Sequence, residues 1–188
     1  MDVYRHESSI HLKLTLEERL FLLRILTAIR ANYQVNPSDL DAKSARAWYA
    51  TDGCPTPGGP TPDTAEWIRQ LHQFKSENLA LINRWLALLG NSTEGKESLA
   101  LTLSFEETPS FLQVLNDHRL LTVNRHDLGD RELGSDFLKV IETLEPQQQL
   151  ALCEVNLLAH LMEYVLQALP DSGADWNEPE GGRKPFTP

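Results

Sequence analysis

The sequence predicts a mainly α-helical fold: a five-helix, bundle-like domain carrying a minimal two-stranded β-sheet. Three observations lead there. Apolar residues recur at three- and four-residue intervals over long stretches, within 16–33, the segment ending at Leu89, and 146–169. Only two short stretches alternate with a period of two, Ile10–Leu14 and Leu99–Phe105. Each of these runs into a helix-start signal, so a strand followed by a capped helix occurs twice, and two strands alone are stable only when paired and laid on helix.

The elements follow in order. Ile10, Leu12 and Leu14 alternate with His11 and Lys13, the pattern of a half-buried strand. Thr15-Leu16-Glu17-Glu18 is a capping box, in which Thr15 and Glu18 satisfy each other's orphan amides. A helix over Leu16–Tyr33 follows, with Leu20, Leu22, Leu23, Ile25, Leu26, Ile29 and Tyr33 covering enough of its circumference to make it central. Asn36-Pro37-Ser38 breaks the chain before a short helix over Leu40–Ala50. Residues 51–63, TDGCPTPGGPTPD, contain four prolines and three glycines and read as a surface loop. Thr61 or Asp63 caps a long helix to Leu89, with room for a kink near Ser76-Glu77-Asn78 and a left-handed stop at Gly90-Asn91. After the second strand, Thr108 supplies a hydroxyl cap and Pro109 the first helical position of a helix to Arg125. Ser135 caps a short helix over Asp136–Leu144. Pro146 opens a last helix through Leu169, whose buried face is expected to include Leu150, Leu157, Leu158, Leu161 and Val165. Residues 1–170 thus form one domain, and the acidic tail 171–188 has too little to bury to fold, with Trp176 and Phe186 its only anchors.

Composition narrows the function classes. Of 188 residues, 17 are Lys or Arg and 27 are Asp or Glu, giving a formal charge of −10. Such a surface repels phosphate backbones, and no Lys/Arg-rich run offsets it, so nucleic acid is not an expected partner. No apolar run approaches the ~20 residues of a membrane span, and the polar N-terminus, MDVYRHESSIHLKL, lacks the apolar stretch of a signal peptide. A cytoplasmic protein is expected. The two cysteines, Cys54 and Cys153, lack metal-type spacing and read as free thiols. No nucleophile elbow, phosphate loop, dinucleotide fingerprint or zinc-protease motif is present, so no cofactor or metal is expected. His118 and His126, with Asp127 and Asp130 nearby, read as a solvated helix end rather than a metal site.

The informative irregularity is FLQVLNDHRLLTV, residues 111–123. At about 100° per residue, Arg119 falls inside the arc of Phe111, Leu112, Val114 and Leu115. Glu154 falls among Leu150, Leu161 and Val165 on the last helix. A buried charge without a partner is costly, so each demands one. Two explanations stand side by side: Arg119 and Glu154 form a buried bidentate pair joining the two helices, or Arg119, with Asn116, Arg125 or His126, lines a pocket for an anion or a partner's acidic group.

Residues 10–30 and 111–169 resemble an uncharacterised bacterial family catalogued as domain of unknown function 2017. The stretches that carry the resemblance are LTLEERLFLLRIL, FLQVLNDHRLLTVNRHDL and EVNLLAHLMEYVLQAL, the most specific positions being Leu115, Asn116, Asp117, Arg119 and Arg125. The resemblance implies a predominantly helical protein with no established activity, encoded in actinobacteria often beside the adaptor of the Clp protease. The expectation is a non-enzymatic protein-interaction or regulatory protein with an unidentified protein partner, linked to Clp-type proteolysis by that association. Its binding residues would be Arg119, Glu154, Asn116, Asp117, Arg125 and His126. The alternative is a small-anion-binding protein or enzyme with a pocket centred on Arg119. A homodimer through an exposed strand edge is a further possibility.

Overall fold

A computed structural model describes residues 1–40, 42–49, 64–91, 99–129, 133 and 137–170. The Pro/Gly-rich loop 51–63, the caps assigned to Thr61, Asp63 and Ser135, and the acidic tail 171–188 lie outside them. The fold is mainly α. Its elements are β1 (Asp2–His6), β2 (Ser9–Leu14), α1 (Leu16–Gln34), a 3-10 turn (Pro37–Asp39), α2 (Ala42–Tyr49), α3 (Thr64–Gly90), β3 (Leu99–Ser104), α4 (Thr108–Arg125), α5 (Phe137–Ile141) and α6 (Pro146–Ala168).

The sheet has three antiparallel strands in the order β1-β2-β3, one more than the sequence pattern announces. Leu12 lies opposite Val3 on one side and Leu101 on the other, and Ile10 opposite Leu103. Ile10, Leu12, Leu14, Leu101 and Leu103 turn into the core. Only Val3 of β1 packs against that core as an apolar side chain, so the edge strand leaves no alternating signature, and its polar residues hide it. The β1–β2 hairpin turns through Glu7 in the left-handed region, at φ 51°. On the outer face the Tyr4 and His11 rings stack at 5.3 Å, and Thr102 Oγ1 lies 3.2 Å from His11 Nδ1.

The helix starts rest on local polar pairs. Thr15 and Glu18 form the expected capping box on α1. The start of α4 differs from expectation. Thr108 is already helical, and its hydroxyl turns back to donate to the Ser104 carbonyl at 2.8 Å. A reciprocal pair one turn earlier fixes the entry: Glu107 N–H donates to Ser104 Oγ and Ser104 N–H to the Glu107 carboxylate. The same carboxylate is bound by Arg84 of α3. At the end of α3, neither Gly90 nor Asn91 takes the left-handed conformation expected of a stop. Arg19 of α1 caps it instead, its guanidinium donating to the Leu89 and Gly90 carbonyls at 2.6 and 3.3 Å.

The core lies between the sheet and α1, α3, α4 and α6. Leu22, Ile25, Leu26 and Ile29 of α1 meet Ile82, Trp85 and Leu89 of α3, and Trp85 packs edge-on against Phe111 of α4 at 5.2 Å. On α6 the buried face is Ala151, Leu152, Val155, Leu158, Leu161 and Val165. The stripe is rotated from the expected one. Leu150 and Leu157 are exposed at 72% and 54%, and Glu154 sits at the stripe's edge rather than its middle.

One polar cluster is embedded in this core. Lys75 of α3 is only 5% exposed, and its Nζ lies 2.5 Å from Asp117 Oδ2 of α4. Tyr33 of α1 donates to the same oxygen at 2.6 Å, and the ammonium stands 4.3 Å above the ring of Trp48 in α2. Burial, with the Asp117 charge alongside, pushes the Tyr33 phenol well above its ordinary range. Asp117 is therefore a structural anchor that holds four helices, not a member of an open binding site.

Removing one half of a buried pair strands the other. Lys75→Met is expected to destabilise the fold by roughly 3 kcal/mol, read as a lower midpoint in urea unfolding. Lys75→Met combined with Asp117→Leu should recover part of that loss.

Candidate functional site: a cationic cleft between three helices

The site is assembled around Glu154 of α6. Its two oxygens are engaged by different elements. Oε2 accepts from Nη2 of Arg24 on α1 at 2.6 Å, and Oε1 lies 2.7 Å from Nε2 of His118 on α4. Burial alone would raise the Glu154 carboxyl. The His118 hydrogen bond, with positive charge at His118, Arg24 and His126, outweighs burial and leaves it below the ordinary carboxylate range. Arg24 also lies over the ring of Phe21, one turn back on α1. His118 is 5% exposed and its Nδ1 has no hydrogen-bond partner.

These groups line a cleft of about 450 Å³ whose walls also include Arg125, His126, Cys153 and Leu157. The α6 sequence explains the wall. Leu150, Glu154 and Leu157 recur at helical spacing on the side of α6 that the core leaves uncovered. Arg125 is placed by a bond from its Nη2 to Asn32 Oδ1 at 2.9 Å. The backbone carbonyl of His126 accepts from Gln148 Nε2 at 3.0 Å, tying the end of α4 to the first turn of α6. Arg125, His126 and Gln147 continue into a second polar hollow beside that turn.

At the opposite end the cleft adjoins an apolar cavity of about 230 Å³. Phe21 and Leu157 line both. Leu14, Leu22 and Leu161 form the inner wall of the cavity, and Glu17 and Glu18 stand at its edge.

The structure separates the residues expected to act together. Glu154, Arg125 and His126 meet in the cleft. Asp117 belongs to the core cluster with Lys75 and Tyr33. Arg119 does not pair with Glu154, which corrects the expected clasp. Its Nη1 makes only long contacts, 3.5 Å to Asn116 Oδ1 and 4.0 Å to Met162 Sδ, and its Nε is buried without a partner. Burial holds the Arg119 guanidinium below its ordinary value. Arg119 and Asn116 line neither the cleft nor the cavities that adjoin it. The error is one residue of helical phase: the way α4 lies on α6 brings His118, not Arg119, opposite Glu154.

The residues that sequence reasoning missed are His118, Arg24, Phe21 and Leu157; His118, expected at a solvated helix end, is 5% exposed and lies against Glu154. Arg24 is 130 residues from Glu154, and no spacing rule links them. Leu157 belonged to the expected buried face, and only the orientation of α6 turns it outward.

Comparison with protein-family models, with curated proteins and with solved structures returned no match.

Two stability outcomes follow. Arg119→Met is expected to leave the unfolding midpoint unchanged or raise it by up to about 1 kcal/mol, because among the described residues no carboxylate loses a partner. Glu154→Gln is expected to cost roughly 1–3 kcal/mol at neutral pH. A carboxyl lowered in the folded state contributes stability that is present above its unfolded pKa and lost as pH falls through the folded value. The difference between wild type and Glu154→Gln should therefore shrink below about pH 4.5, in a series of denaturation curves from pH 7 to 3.

Proposed function

We propose that this chain is a non-enzymatic protein-interaction or regulatory protein, and that the cleft binds an acidic segment of a partner protein. One observation carries the reading. On a chain of formal charge −10, the cleft gathers two arginines and two histidines around a single carboxylate. Arg24 and Arg125 exceed Glu154 by one positive charge before either histidine takes up a proton. Leu150 and Leu157 flank it as exposed apolar side chains, the combination of anchor and charge that protein recognition uses. The cations are held by the fold rather than by a ligand, so little ordering is left to pay on association.

The resemblance to domain of unknown function 2017 directs the search for the partner toward components of Clp-type proteolysis. The small-anion reading moves with the charges: its centre becomes Arg125 and His126, not Arg119, because those are the cations that line open space.

The test is fluorescence anisotropy with fluorescein-labelled peptides that carry aspartates or glutamates, against the same peptides with asparagine or glutamine. Micromolar binding of the acidic set, weakened by salt and about tenfold weaker for Arg125→Gln/His126→Gln, is the expected result. Equal binding of acidic and amide peptides, or no effect of the double substitution, would overturn the reading.

A further inference from the structure

We infer that the bound segment is bipartite: a bulky apolar side chain occupies the cavity beside Phe21 and Leu157, while a carboxylate four or five residues away meets Arg125 and His126. The inference rests on the reading of the cleft as a site for acidic segments and goes on to specify what else such a segment must contain.

Continuity is the first argument. Phe21 and Leu157 form a wall common to the apolar cavity and the cationic cleft, so the two are one surface with a change of character across it. The apolar part is sized for one side chain, at about 230 Å³. It is lined by Leu14, Leu22 and Leu161, which the core already fixes in place. Phe21 at the cavity and Asn32, which holds Arg125, are eleven residues apart on α1, and Leu157 and Gln147 are ten apart on α6, so about 15 Å of helix separates the apolar space from Arg125 and His126, the span of about four to five residues of extended chain.

Charge supplies the polarity. The carboxylates of Glu17 and Glu18 stand at the edge of the apolar cavity, while Arg125 and His126 stand in the cleft beyond its far wall. Glu18 is paired with the Met1 ammonium, which also lines the cavity, so the charge left open there is that of the exposed Glu17. A ligand carboxylate is favoured beside Arg125 over a place beside Glu17, so the segment has one favoured placement and acidity alone does not satisfy the site. Within the cleft, Glu154 pairs with Arg24 and hydrogen-bonds to His118. Among the described residues that leaves Arg125, anchored to neutral Asn32, as the cleft arginine without an ion pair; of the carboxylates in the adjoining hollow, Asp127 pairs with Lys43, and Glu145 stands at the start of α6.

The experiment uses the full chain and a series of fluorescein-labelled Gly/Ser peptides, each holding one leucine and one aspartate separated by zero to eight residues. Anisotropy titrations should show an optimum at three or four intervening residues. Replacing the peptide's leucine by serine should weaken binding about tenfold or more. Leu157→Ala should weaken the leucine peptide several-fold more than the serine peptide, and Leu157→Met should restore binding. Thermal melts of both variants confirm that they are folded, which their half-exposed position favours. If aspartate is required but leucine and spacing are not, the bipartite inference is overturned and the acidic-segment reading stands. If no peptide in the series binds and the longer acidic peptides fail as well, both are overturned.

Discussion

The packing of α1, α3 and α4 turns on one largely buried carboxylate. Asp117 Oδ2 receives both the Lys75 ammonium and the Tyr33 hydroxyl, and Lys75 in turn lies on Trp48. Residues from α1, α3 and α4 therefore meet at a single oxygen, and α2 joins them through the Trp48 ring. Apolar contacts alone tolerate sliding and rotation, whereas an ion pair inside a core is satisfied in one arrangement only. Net stability is not what such a cluster adds, because desolvating two charges costs nearly as much as their attraction returns. Its effect is on phase. With α4 held at Asp117, His118 is turned one position further round, toward α6, and the position of the cleft follows.

Glu154 extends the same logic to the surface. It joins α6 to α1 through Arg24 and to α4 through His118, so the element that neutralises the cleft also fixes the spacing of its walls. α1 and α6 stand on opposite sides of the groove, and residues of both line the cleft and the adjoining cavity. The groove is built on helices whose other faces are locked in the core, a rigid base for recognition. Arg119 stands apart as a half-buried cation that, among the described residues, pairs with no carboxylate and does not line the cleft.

Much of the scaffold was legible in the sequence, because local rules govern it. The Thr15–Glu18 capping box, the alternation of Ile10, Leu12 and Leu14, and the breaks at Asn36-Pro37 and Pro146 act over a few residues and survive folding unchanged. Strand β1 escaped because an edge strand with one apolar residue packed inward has no pattern to show. The residues of the cleft were only partly legible. A helical wheel marks Arg119 and Glu154 as misplaced charges but not which neighbour each will face, and a rotation of one residue exchanges Arg119 for His118. The exposure of Leu150 and Leu157 depends on the same rotation of α6. Arg24 could not be reached by periodicity, since its role is defined by a contact across most of the chain.

The way α3 ends has a bearing on the order of folding. Its last carbonyls are not closed by a glycine turn in its own sequence but by Arg19, 70 residues earlier in the chain. Made alone, the C-terminal turn of α3 has unsatisfied acceptors and frays, and docking of α1 completes it. The two helices are thus finished together, as one cooperative unit.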